Sequence, residues 1–96
     1  MTTTSIVSSP GEILKEEFLE PLGISQYRLA QAIDKPQSAV SDIVHGRRAI
    51  SPEVARLLGQ ALGTTTEFWL ALQATYQAKI ADESSTSVVP CLTKEG

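Results

Sequence analysis

Cysteine, tryptophan, histidine and methionine each occur once in 96 residues. A single cysteine, Cys91, excludes an intrachain disulfide and a cysteine-based zinc site, and a lone histidine, His45, gives a metal no second imidazole. No apolar run approaches the roughly 18 to 20 residues of a membrane span, and the opening MTTTSIVSSPGE has neither the basic nor the apolar region of an export signal. A reducing, cytoplasmic location is therefore expected. No Ser/His/Asp or Cys/His set, phosphate loop or carboxylate pair in an apolar setting can be assembled, so catalysis, cofactors and metals are not expected.

Positive charge is also scarce, with 8 Lys and Arg against 11 Asp and Glu, which argues against a generally basic nucleic-acid coat. The distribution is uneven, however. Residues 10–24 hold four glutamates and one lysine, net −3, whereas residues 25–48 hold Arg28, Lys35, Arg47 and Arg48 against Asp34 and Asp42, net +2. The 42% apolar content suits one small core, in a chain short enough to hide only about 60–65% of its unfolded surface.

Punctuation divides the chain into five helices and no strand. Ser9-Pro10-Gly11-Glu12 reads as a capping box with proline at the first helical position, opening a short helix whose apolar residues Ile13, Leu14, Phe18 and Leu22 recur at helical spacing until Pro21 and Gly23 end it. Ser25 caps a second helix with Leu29, Ala30 and Ile33 inward and Gln26, Arg28 and Gln31 outward. Asp34-Lys35-Pro36 breaks it, and a third helix restarts near Pro36 or Gln37 and ends at Gly46. Ser51-Pro52-Glu53 opens a fourth, closed by Gly63, in which Gly59 suggests a close neighbour. Thr64-Thr65-Thr66-Glu67 reads as a capping box for a fifth, carrying Phe68, Trp69, Leu72, Tyr76 and Ile80. Residues 1–9 and 82–96 are polar and aperiodic, hence loose tails around a domain at 10–81.

The segment from Ser25 to Arg48 carries the functional signal. Two helices joined by a break of about three residues, with small Ala30 at the crossing and Val40 and Ile43 packing across it, have the pattern of a helix-turn-helix. Ser38, Ser41, Asp42 and His45 fall on the face opposite Val40, Ile43 and Val44. The major groove of B-DNA admits one α-helix, whose first turn reaches base edges. Gln37 there can bond adenine bidentately, and the hydroxyls of Ser38 and Ser41 can donate or accept. Asp42 either accepts from a cytosine amino group or weakens binding. Gln26, with the free N–H groups at the start of helix two, and Arg47 and Arg48 suit phosphate oxygens; His45 faces phosphate or solvent.

With Ser25-Gln26, Leu29-Ala30, Gln37-Ser38, Val40, Ile43 and Gly46 at these spacings, the segment resembles the helix-turn-helix of phage-repressor-like (XRE) regulators. More widely, PGEIL near the start, the linker RRAIS and the closing TTEFWLALQ make residues 10–77 similar to HigA-type antitoxins of bacterial toxin–antitoxin modules. The resemblance implies an all-α, five-helix, lambda-repressor-like DNA-binding domain that dimerises, represses its own operon and neutralises a cognate toxin, usually an RNA-cleaving one. It implies that Gln26 and Gln37 cooperate at one adenine and that Ser38 touches a base. The family pattern commonly has glycine where Asp34 stands and an apolar residue at Lys35, so a slightly altered turn is expected.

Two surfaces stay open on this reading. Glu12, Glu16 and Glu20 recur every four residues and form either a solvated face or a dock for a basic toxin. Phe68, Trp69, Leu72 and Tyr76 are core or homodimer contacts rather than a ligand pocket. A regulator of the same family without a toxin, or a pure protein-interaction bundle, are the competing functions.

Overall fold

The computed structural model describes residues 8–84 and 88–92. Five helical bodies follow one another, with no strand among the described residues. The first, α1 (residues 10–22), is continuous but not uniform: α-helical over Pro10–Ile13, π-helical over Leu14–Leu19, and α-helical again over Glu20–Leu22. The others are α2 (Gln26–Ala32), α3 (Gln37–Val44), α4 (Pro52–Leu62) and α5 (Thr66–Ser84). Of the expected loose tails, residues 1–7, 85–87 and 93–96 lie outside the described residues, and α5 continues three residues past Ala81, the expected end of the domain.

Local chemistry accounts for most helix starts. Ser9 Oγ accepts from the Glu12 N–H at 3.2 Å while Glu12 Oε1 accepts from the Ser9 N–H at 3.1 Å, a complete capping box. Ser25 and Ser51 accept from the N–H groups of Arg28 (3.0 Å) and Val54 (3.2 Å). The fifth start differs from expectation. Thr65, not Thr64, caps α5 by accepting from the Phe68 N–H at 3.0 Å, because the Thr64 hydroxyl is engaged as acceptor for the Trp69 indole Nε1–H at 2.7 Å.

The first four helices end by one device: the chain turns through a residue with positive φ, and the next N–H bonds back to the carbonyl of the helix's last full turn. Gly23, Asp34, Gly46 and Gly63 hold this place, with Ile24, Lys35, Arg47 and Thr64 donating to Leu19, Ala30, Asp42 and Gly59. Asp34, at φ +57°, takes the left-handed conformation that glycine adopts most readily, so the stop between α2 and α3 has the same form as those at Gly23, Gly46 and Gly63. Lys35 leans to α4, its Nζ 3.4 Å from Glu53 Oε1.

The π segment re-registers α1. Pro21 has no N–H, and in a regular helix its ring would collide with the carbonyl of Glu17. The wider i→i+5 ladder, seen where the Glu20 N–H meets the Lys15 carbonyl, accommodates it. Residues five apart then share a face, so Leu14 and Leu19 are the buried pair (1% and 3% exposed), Ile13 and Phe18 are half-buried, and Leu22 is 58% exposed, contrary to the even stripe expected. The core gathers these leucines with Leu29, Ile33, Val40, Ile43, Ile50, Ala55, Leu58 and Trp69. Trp69 is wholly enclosed, its ring 5.2 Å from Phe18 and 5.0 Å from Phe68 between centroids.

Two glycines set helix contacts. Gly59 lies against the backbone of Thr64 and Thr65, as its placement inside a helix suggested. Gly11 is tighter: a Cβ there would stand 1.9 Å from the Ile43 carbonyl oxygen and 2.8 Å from that of Val44, so α1 begins directly on the carbonyl end of α3. Among the described residues no helix is long and apolar enough to cross a membrane, and no group of His, Cys, Asp and Glu could hold a metal ion.

Candidate nucleic-acid interface

Helix α3 presents two opposed faces. Val40, Ile43 and Val44 are 1%, 3% and 6% exposed, clamping one side onto α1 and α2. On the other, Gln37 and Ser38 stand exposed in the first turn, with Ser41 and Asp42 half-exposed and His45 exposed beyond them. Pro36 precedes the helix and no side chain caps it, so the helix starts with its polar first turn open. Eight residues make the helix about 12 Å long.

Ser41 and His45 are coupled along this face. His45 Nδ1 lies 2.8 Å from the Ser41 carbonyl oxygen and 3.3 Å from its Oγ. A carbonyl only accepts, so Nδ1 carries the proton and donates.

At the far end Gly46 (φ +78°) reverses the chain and brings Arg47 and Arg48 back along α3. Asp42 organises both. Its carbonyl accepts from the N–H groups of Arg47 (2.7 Å) and Arg48 (3.2 Å), and its carboxylate accepts from Arg47 Nε at 3.1 Å and lies 3.5 Å from Arg48 Nη2. The guanidiniums remain more than half exposed. Asp42 was expected either to accept from a cytosine amino group or to weaken binding; in this structure its carboxylate is engaged by two cations that the turn at Gly46 folds onto it.

Two contributors escaped the sequence reading. Gln73 of α5 accepts the Ile50 N–H at 2.8 Å and so pins the linker carrying the two arginines, a contact across 23 residues with no local signature. Tyr27 is 57% exposed with its hydroxyl accepting from Gln31 Nε2 at 3.0 Å, and it lines a cleft of about 510 Å³ with Lys35, Pro36 and Gln37. Gln26 is half-buried beside it.

The other candidate surfaces are rearranged. Glu12 and Glu16 line a groove of about 640 Å³ together with Lys15, Tyr76, Lys79 and Glu83. Glu20 does not join them: five residues from Lys15 in the π register, it pairs with that lysine at 3.1 Å. Hydrogen bonding to Glu20, then the charges of Glu20 and Glu16, push the Lys15 ammonium above its ordinary value. Trp69 is removed from the candidate dimer contacts, since its side chain is sealed inside its own chain. Phe68 is exposed at 38%, while Leu72 and Tyr76 are half-buried.

Comparison with known proteins agrees with this architecture. A helix-turn-helix family model, HTH_3, matches residues 15–69. Virulence-associated protein A of Dichelobacter nodosus is 48% identical over 68 residues, 70% of this chain and 67% of its own. Antitoxin HigA-1 of Vibrio cholerae is 48% identical over 65 residues, 68% of this chain and 61% of its own. Among solved structures, Pseudomonas aeruginosa antitoxin HigA with the higBA promoter superposes with a TM-score of 0.79 at 35% identity, covering 91% of this chain and 100% of that one. Family model, relatives and superposition converge on one assignment: the chain belongs to the XRE-type helix-turn-helix family and is similar to HigA-type antitoxins.

Proposed function

We propose that this protein is a sequence-specific DNA-binding repressor and the antitoxin of a type II toxin–antitoxin module. The observation that carries the DNA reading is the exposed polar face of α3, open at its first turn and flanked by two arginines at its other end. Inserted in a major groove, Gln37 and Ser38 meet base edges, with Ser41 one turn behind, while Gln26, His45, Arg47 and Arg48 meet phosphates on either side. One module of this size touches few base pairs, so a homodimer reads two half-sites about one helical turn, ~34 Å, apart, with Phe68, Leu72 and Tyr76 as candidate contacts between protomers. The promoter-bound relative supports this reading.

The same chain represses its own operon and neutralises a cognate toxin, as the similarity to HigA-type antitoxins implies; such toxins commonly cleave mRNA. Glu12 and Glu16, in a groove shared with Glu83, are the docking residues for a basic toxin, and Glu20 is a weaker candidate because Lys15 compensates it. That compensation favours a second reading, a family regulator without a toxin. Titrating the region upstream of the gene and co-expressing the neighbouring gene separate the possibilities. Saturable binding plus growth rescue and co-purification support the full proposal; binding alone leaves the regulator, and neither refutes both.

A further inference from the structure

Asp42 lies one turn beyond Ser38, on the side of α3 that carries the exposed polar face, so it advances with Ser38 toward any duplex that α3 approaches. Its carboxylate is nevertheless held by Arg47 Nε at 3.1 Å and Arg48 Nη2 at 3.5 Å. Two cations at the edge of a DNA-reading helix thus present a net charge of one. A phosphate that approaches their exposed N–H groups also meets that carboxylate, whose charge repels it and offsets part of what the two cations offer.

Resting on the reading of α3 as the DNA-reading helix, we propose that Asp42 is a specificity-determining residue acting by exchange of partners. In a matching site a cytosine amino group takes the Asp42 carboxylate, and Arg47 and Arg48 pass to phosphates. In a non-matching site the carboxylate has no donor to receive it, so the arginines stay paired or leave it stranded beside the duplex. The same acidic group therefore weakens electrostatic binding to arbitrary DNA and reads one base. The turn does not need the carboxylate, since the carbonyl of Asp42, present in every variant, accepts the Arg47 and Arg48 N–H groups.

The test selects duplexes from a random pool with the full-length protein and with Asp42→Asn, then measures affinity for the selected and a scrambled duplex across a salt series. Asp42→Asn should bind the scrambled duplex about three- to tenfold more tightly at low salt, with a salt slope steeper by about 0.9, one additional phosphate's worth. It should bind the selected duplex no better and lose preference for cytosine at one position. With Arg47→Gln and Arg48→Gln also present, the effect on the scrambled duplex should shrink to what relief of carboxylate–phosphate repulsion alone supplies. Asp42→Ser, too short to reach the guanidiniums, should repeat the Asp42→Asn result if that variant folds poorly. An unchanged ratio of selected to scrambled affinity, or a retained cytosine preference, overturns the exchange while leaving the DNA reading intact. Failure of the unsubstituted protein to enrich any sequence overturns both.

Discussion

Gly11→Ala and Gly59→Ala are the same substitution in two helices, and the structure assigns them different outcomes. At Gly11 the added methyl would stand 1.9 Å from the Ile43 carbonyl oxygen, about 1.5 Å short of the 3.4 Å at which ordinary contact begins. Every close atom belongs to the backbone at the carbonyl end of α3, so no side chain can swing aside. Relief requires the start of α1 to lift off α3, breaking the packing of two core elements. Overpacking of this kind costs about 1–3 kcal/mol, and with backbone on the receiving side the upper figure applies. In a domain of 60–100 residues each kcal/mol moves the melting temperature by roughly 4–8 °C, so Gly11→Ala should melt about 12–24 °C lower. At Gly59 the nearest atoms, of Thr64 and Thr65, are 3.1 Å away. A shift of a few tenths of an ångström suffices there, and alanine's helix propensity returns about 1 kcal/mol, leaving a net change within about 1 kcal/mol of zero. Thermal unfolding followed by far-UV circular dichroism measures both. A Gly11→Ala midpoint within about 3 °C of the parent, or a Gly59→Ala loss as large as that of Gly11→Ala, would refute the account of how α1 sits on α3.

Thr64→Val leaves the buried Trp69 indole N–H without its acceptor and should destabilise by about 1–3 kcal/mol, read from the denaturant midpoint at unchanged m-value. Asp34→Gly removes a non-glycine residue from left-handed conformation and should raise stability by about 0.5–1 kcal/mol; a fall would mean the aspartate side chain supports the turn. Gln37→Ala or Ser38→Ala should reduce discrimination at one base position by about 1–3 kcal/mol, while Arg47→Ala weakens binding to every sequence and flattens the salt slope by about one. Equal losses on matched and scrambled duplexes for Gln37→Ala would remove it from base reading.

What could be read in advance was what is encoded within four residues. Ser9, Ser25 and Ser51 cap where their neighbours indicate, and the alternation of Gln37, Ser38 and Ser41 with Val40, Ile43 and Val44 identified the exposed face of α3. Features decided elsewhere in the chain were not legible. Thr64 reads as a cap until Trp69 claims its hydroxyl. The even stripe of α1 fails because Pro21 forces a wider turn upstream, which also draws Glu20 away from Glu12 and Glu16 and toward Lys15. Gly11 meets a carbonyl 32 residues away, and Gln73 meets Ile50 across 23. Asp42 was singled out correctly as part of the polar face, but its two cations reach it only through the reversal at Gly46.

The repeated left-handed stop has a kinetic consequence. Because Gly23, Asp34, Gly46 and Gly63 terminate four consecutive helices through bonds spanning no more than five residues, the stop of each is encoded locally. Short connections between neighbouring helices give the topology associated with folding in microseconds to milliseconds, with helices this short completed as they pack rather than formed in advance. Refolding after thermal melting is accordingly expected on that same timescale, which stopped-flow fluorescence of Trp69 would measure.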